Sequence, residues 1–199
     1  MGDTDGSDLH EDNAQRTNIL AGAKHAFARK GMAATMAEVA QAAGVSQGLA
    51  YRYFASKEQI YRELVEESLE QADRVIAAPT PAHPATAGER LALLITRLVE
   101  YRRDHLEIVQ LLDQVLSARK APDDMVALIR QRRARLLRTL RQLIVAGQAT
   151  GEVSADDPDH LVIAISSCLE GLTRIGLLDP EQFHRRCPDA RILLRLVKP

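Results

Sequence analysis

Between residues 35 and 60 the chain carries helix start and stop signals so closely spaced that only two short helices fit among them. Thr35-Met36-Ala37-Glu38 is a capping box, in which the hydroxyl accepts from the Glu38 N–H while the carboxylate reaches back to the Thr35 N–H. It predicts a two-turn helix with Met36, Val39, Ala40 and Ala43 apolar, stopped by Gly44. Ser46 is placed to cap a second short helix ending near Tyr53, and Ser56-Lys57-Glu58-Gln59 is a further box opening a long helix to about Ala77. Two short helices joined through Gly44-Val45-Ser46 have helix-turn-helix spacing, although a generic helical corner has the same spacing.

The surrounding pattern is helical as well. A helix over about Asn13–Lys30 presents Ile19, Leu20, Ala23, Ala26 and Phe27 on one face, with Gly31 past its end. Pro79, Pro81 and Pro84 predict a linker over Ala78–Gly88. Beyond it, helical periodicity returns over Glu89–Arg103, His105–Ala118, Pro122–Ala146 and Pro158–Leu178, then in two pieces around Pro180–Arg186 and Ala190–Val197. Three Phe, four Tyr and no Trp leave a core of aliphatics and Ala, which suits helices rather than a β-sandwich. The expected fold is all-α. No unbroken apolar run approaches the roughly 18 residues of a membrane span, and five acids stand where a signal peptide needs basic residues, so a cytoplasmic protein is expected.

Charge is unevenly distributed. The chain carries 26 Lys+Arg and 27 Asp+Glu, but Asp3, Asp5, Asp8, Glu11 and Asp12 crowd the first fourteen residues, which lack Lys and Arg. Residues 15–60 hold Arg16, Lys24, Arg29, Lys30, Arg52 and Lys57 against Glu38 and Glu58. A basic segment inside a neutral chain points to a polyanion partner. The arginines from Arg130 to Arg141 read instead as the solvated face of a helix whose buried stripe includes Met125, Ile129, Leu136, Leu140 and Leu143. The histidines show no metal-ligand spacing, so no metal and no cofactor is expected.

The stretch from Thr35 through Gln47-Gly48-Leu49-Ala50-Tyr51-Arg52-Tyr53-Phe54 to Ile60 closely resembles the DNA-binding domain of TetR-family transcriptional regulators. Phe27-Ala28-Arg29-Lys30-Gly31 matches the family's lead-in to the motif. Leu49 stands where the family often has Thr, and Ala50 where it has a larger apolar residue. The crowded acids predict a disordered tail over 1–12, and the resemblance implies a helix-turn-helix domain over 13–60 and an effector-binding and dimerisation domain over 61–199. It also implies a homodimer on a palindromic double-stranded operator, usually a repressor released by a small molecule.

Carried onto this chain, the family's DNA contacts fall on Thr35, Ser46, Gln47, Gly48, Tyr51, Arg52, Tyr53 and Lys57. Thr35 would meet a phosphate at a helix N-terminus, and Gln47 and Arg52 would read adenine and guanine by bidentate hydrogen bonds. Gly48 would let the backbone come close, Tyr51 and Tyr53 would reach phosphates, and Lys57 would clamp one.

Effector candidates are Tyr101, His105, Gln110, Asp113, Gln114 and Ser117, in surroundings that favour an aliphatic ligand over a planar aromatic one. Tyr61 is a further candidate from the fourth helix. Leu161, Ile165, Leu169, Leu172 and Ile175 form an apolar face expected to dimerise, with the C-terminal segment adding Leu193, Leu194 and Val197. Cys168 reads as a core residue and Cys187 as more exposed. A redox-responsive regulator of this fold, switching through these two thiols, is the alternative. A helical enzyme has no G-x-S-x-G, phosphate loop or Cys/His pair to support it.

Overall fold

The computed structural model describes residues 5–77, 86–117 and 122–199, and the regular elements among them are all helices. In chain order these are α1 (Asp5–Lys30), α2 (Met36–Ala42), α3 (Gln47–Tyr53), α4 (Lys57–Ala77) and α5 (Ala87–Asp104). They continue with α6 (Leu106–Ser117), α7 (Asp123–Ala149), α8 (Pro158–Leu178), α9 (Pro180–Arg186) and α10 (Ala190–Leu194). A single 3-10 turn, Gly31–Ala33, separates α1 from α2.

Local signals account for most of these boundaries. Asp157, Asp179 and Asp189 cap α8, α9 and α10 with their carboxylates, and Pro158 and Pro180 take the first helical turn, where no N–H is needed. Besides α7, which runs on to Ala149, and α10, which stops at Leu194, two boundaries differ from the sequence expectation. The N-terminal helix starts at Asp5 rather than about Asn13, so residues 5–12 are helical where disorder is expected; negative charge suits this end of a helix. At the other boundary, Thr86 forms a complete capping box with Glu89, so α5 starts inside the expected linker. The rest of that linker, 78–85, lies outside the described residues.

Contacts divide the chain into two compact units. The first takes the chain up to Ser68 together with Gln110–Val126. Its core holds Ile19, Ala23 and Phe27 of α1, Val39 of α2, Ala50 of α3, Phe54, and Ile60, Tyr61 and Leu64 of α4. Phe27 and Tyr61 meet edge to face at 4.9 Å. Burial pushes the pKa of the Tyr61 hydroxyl up to about 12, and the ring is part of this core. The Gln114 side-chain amide donates to the Ala28 carbonyl at 2.8 Å, tying α6 to the end of α1.

The second unit comprises Leu69–Val109 and Ala127–Pro199. Leu91, Leu94, Ile95 and Leu98 of α5 pack with Leu140 and Ile144 of α7, Ile165 and Leu169 of α8, Phe183 of α9 and Leu193 of α10. Each such side chain, fully buried, contributes on the order of 1.5–3 kcal/mol. Helix α8 is long and apolar enough by composition to cross a membrane, although polar residues interrupt its apolar stretches. Here it is a core helix on one side: Leu161, Ile165, Leu169 and Leu172 are all buried in their own chain.

The expected dimer face is thereby split. Four of its five residues fill this core, whereas Ile175 is 62% exposed. The cysteines reverse their expected places, with Cys168 exposed and Cys187 half-buried.

Candidate nucleic-acid interface

The interface starts from the box at Thr35. Thr35 Oγ1 accepts from the Glu38 N–H at 3.3 Å while the Thr35 N–H donates to Glu38 Oε2 at 3.0 Å. Lys30 pairs with the same carboxylate. The Lys30 hydrogen bond, aided by the Thr35 N–H, pulls the Glu38 carboxyl down to about 2. This fixes the start of α2 with the Thr35 side chain exposed.

The turn is built as its residues demand. Gly44 adopts φ 66°, the left-handed conformation that costs glycine least, and the Val45 N–H returns to the Ala40 carbonyl at 2.9 Å. Ser46 Oγ then accepts from the Leu49 N–H at 3.1 Å, opening α3. Two contacts from α1 hold this corner, and neither stands out in the sequence. Asn18 Nδ2 donates to the Ala43 carbonyl at 2.9 Å. Gly22 lies so close to α2 that a Cβ there would stand 2.5 Å from the Ala43 nitrogen.

With Ala50 fully buried, α3 turns Gln47, Gly48, Tyr51 and Arg52 outward, and Tyr51 is 50% exposed. Nothing crowds Gly48: an added Cβ would meet only Ser46 Oγ, at 4.0 Å. Phe54 closes α3 in the core, under the Arg16 guanidinium 5.0 Å from its ring centroid. The exposed ridge of α3 thus offers a bidentate amide, a bare backbone, a phenol and a guanidinium, a set that can read base edges and hold phosphates.

Five of the sequence-assigned residues are engaged within the protein, Thr35 among them through its box with Glu38. Ser46 is the α3 cap. Lys57 Nζ donates to the carbonyls of Met32 at 2.7 Å and Ala34 at 3.1 Å, so it ties α4 to the segment before Thr35 rather than standing free as a phosphate clamp. Tyr53 Oη donates to Asp12 Oδ1 at 2.5 Å, and Arg52 lies 4.0 Å from the same oxygen.

The effector candidates are divided between the two units. Tyr101 and His105 stack in the second unit with ring centroids 4.5 Å apart. Gln110, Asp113 and Gln114 belong to the first unit, where Asp113 is exposed and Gln114 holds Ala28. The side chain of Ser117 lies outside the described residues. Arg102, absent from the sequence-based set, stands beside Tyr101 with its Nε buried and is attracted by Glu170.

Comparison with known proteins places this geometry. The family described as "Bacterial regulatory proteins, tetR family" matches residues 19–64, and "Tetracyclin repressor-like, C-terminal domain" matches 84–174. The HTH-type transcriptional regulator TtgR of Pseudomonas putida is 26% identical over 177 residues, 83% of this chain and 81% of its own. The regulator BetI of Rhizobium meliloti is 32% identical over 148 residues, 71% of this chain and 66% of its own. Among solved structures, the MbdR regulator from Azoarcus sp. CIB superposes with a TM-score of 0.71 at 24% identity, covering 91% of this chain and 93% of its own. A tetR-family regulatory protein from Rhodococcus RHA1 superposes with a TM-score of 0.69, also at 24% identity, over 92% of this chain and 97% of its own.

Proposed function

Because this chain belongs to the TetR family of helix-turn-helix transcriptional regulators, we propose that it acts as a cytoplasmic homodimeric repressor, released from a palindromic operator by a small molecule. The observation that carries the reading is the outward ridge Gln47, Gly48, Tyr51 and Arg52 on a helix whose opposite face, at Ala50, is fully buried. In this reading α3 enters the major groove, with the Thr35 and Tyr53 hydroxyls toward phosphates on either side.

A domain division near residue 60 puts DNA recognition in 13–60 and effector binding with dimerisation in 61–199. The dimer uses the outer side of α8. Ile163, Ile175 and Leu178 are exposed there, more apolar surface than solvent favours. Gly171 lies within the same helix, and an added Cβ would meet nothing within 4 Å. A dimer must hold its two recognition helices about 34–36 Å apart, or a multiple of that, for both to bind. An effector that changes this separation abolishes binding, and by linkage the operator weakens the effector by the same factor.

The test is selection of bound duplexes from a random pool, followed by titration of the recovered site. A palindrome with half-sites one helical turn apart, bound with steep salt dependence, is the expected result. Arg52→Ala should relax preference at one base position by about 1–3 kcal/mol, and an unchanged selected profile would remove its base-reading role. Lys57→Ala should weaken all sequences alike, acting through the mobility of the Thr35 segment it holds.

The redox alternative has less support. Burial raises the Cys187 thiol, whereas a peroxide-sensing thiol needs a lowered value.

A further inference from the structure

Near the end of α5 the second unit holds a cation that its own side chains only half satisfy. Arg102 Nη1 donates to the Leu98 carbonyl at 3.1 Å, one turn back on the same helix. Its Nε is buried and has no hydrogen-bond acceptor among the described residues. Attraction to Arg102 comes from Glu170 of α8, but that carboxylate is already paired with Arg133 of α7. Two guanidinium groups on different helices therefore share one carboxylate, and the cluster is short of negative charge. Burial pulls Arg102 down to about 10, which still leaves it cationic at neutral pH.

One turn further along the chain, His105 closes α5 and stacks on Tyr101, with ring planes only 10° apart. Its Nδ1 is also buried without a hydrogen-bond partner among the described residues. Buried polar groups are nearly always satisfied in folded proteins, so two such groups three residues apart at the end of α5, beside surplus positive charge, suit an anionic partner. On α7, Leu136 and Leu137 follow Arg133 by three and four residues and are only partly buried against the core.

We propose that Arg102 and His105 form the head-group end of the effector site, and that the effector is an amphipathic anion with a carboxylate or phosphate head on an aliphatic body. The inference rests on the effector-responsive reading above and narrows it to a ligand class. Arg102 supplies a charge-assisted donor, His105 a second polar contact, and Leu136 and Leu137 a surface for the chain.

Four probes of equal chain length test it on the full chain, below their micelle thresholds: decanoate, decyl phosphate, decanol and decyltrimethylammonium. Calorimetric titration and thermal melting without DNA should show binding by one or both anions and not by the alcohol or the cation. Decanoate and decyl phosphate separate the two head groups. Arg102→Gln should weaken the bound anion about tenfold or more. Glu170→Gln, on an exposed side chain, should tighten it by removing the competing carboxylate. This second variant carries the test if Arg102→Gln fails to fold. Equal binding of decanol and decanoate, or anion affinity unchanged in Glu170→Gln, would overturn the proposal. Operator release separates it from the wider reading. Release by the cation alone overturns the anion site and leaves effector control standing. Anion binding through Arg102 without operator release supports the site and removes the release mechanism.

Discussion

The Tyr53 hydroxyl donates to the Asp12 carboxylate at 2.5 Å, so an acid of α1 occupies a group that the DNA-binding reading assigns to a phosphate. The hydrogen bond to Asp12 raises the Tyr53 pKa above its ordinary 10.0, because ionising the phenol would place two negative charges together. Arg52 lies 4.0 Å from the same oxygen, so operator binding must displace one carboxylate from two DNA-facing side chains. Asp12→Asn should therefore tighten operator binding about two- to fivefold at low salt, with the gain shrinking as salt rises. Ultraviolet titration should show Tyr53 ionising at lower pH in the variant. Unchanged affinity at every ionic strength would mean the contact does not compete with DNA.

Thr35 and Glu38 should show themselves in acid. The folded Glu38 carboxyl lies near 2, below the 4.5 of the unfolded chain, so its contribution is complete above about 4.5 and is lost as pH falls toward 2. Glu38→Gln should flatten the fall of the urea midpoint across that window. At neutral pH, Thr35→Ala should cost about 1 kcal/mol, and Thr35→Ser much less. Equal midpoints for the three Thr35 proteins would count against the cap.

Gly22 and Gly48 should respond oppositely to alanine. A Cβ at Gly22 would stand 2.5 to 2.8 Å from the nitrogen, Cα and Cβ of Ala43, so α1 and α2 must separate at a cost of roughly 1–3 kcal/mol. A Cβ at Gly48 meets nothing closer than 4.0 Å, and alanine should stabilise α3 by roughly 0.5–1 kcal/mol. The same Gly48→Ala change should nevertheless weaken operator binding if α3 approaches the bases closely. Thermal melts beside gel-shift titrations separate the two effects.

Leu169 and Ile175 should fail differently as arginine. Leu169 is 2% exposed, so Leu169→Arg buries an unpaired charge and should unfold the second unit rather than yield a folded monomer. Ile175→Arg should leave helicity intact and shift sedimentation from dimer toward monomer, with much weaker operator binding. A folded Ile175→Arg dimer would place the interface elsewhere.

At the candidate site, legibility followed the range of the interaction. The caps at Thr35 and Ser46 and the left-handed turn at Gly44 use partners within five residues, and all three stand in the structure where the spacing puts them. The contacts of Asn18 and Gly22 with Ala43 join residues more than twenty positions apart, and no local pattern marks them. The Thr86–Glu89 box was available as a T-x-x-E signal, but the prolines before it hid the helix start.

The helical class and most helix boundaries follow from local signals, because capping, glycine stops and apolar periodicity act over one or two turns. Tertiary structure decided which side chains remain available to a partner. Helix α8 carries apolar residues on both sides, and periodicity has no means of ranking Leu169 above Ile175; only packing against α5 and α9 buries one and leaves the other in solvent. Long polar side chains pose the same problem in sharper form. Lys57 and Gln114 each reach several ångströms, and their backbone acceptors at Met32, Ala34 and Ala28 come near only when the chain folds back. Their engagement within the protein is a property of that approach, which no spacing along the chain encodes.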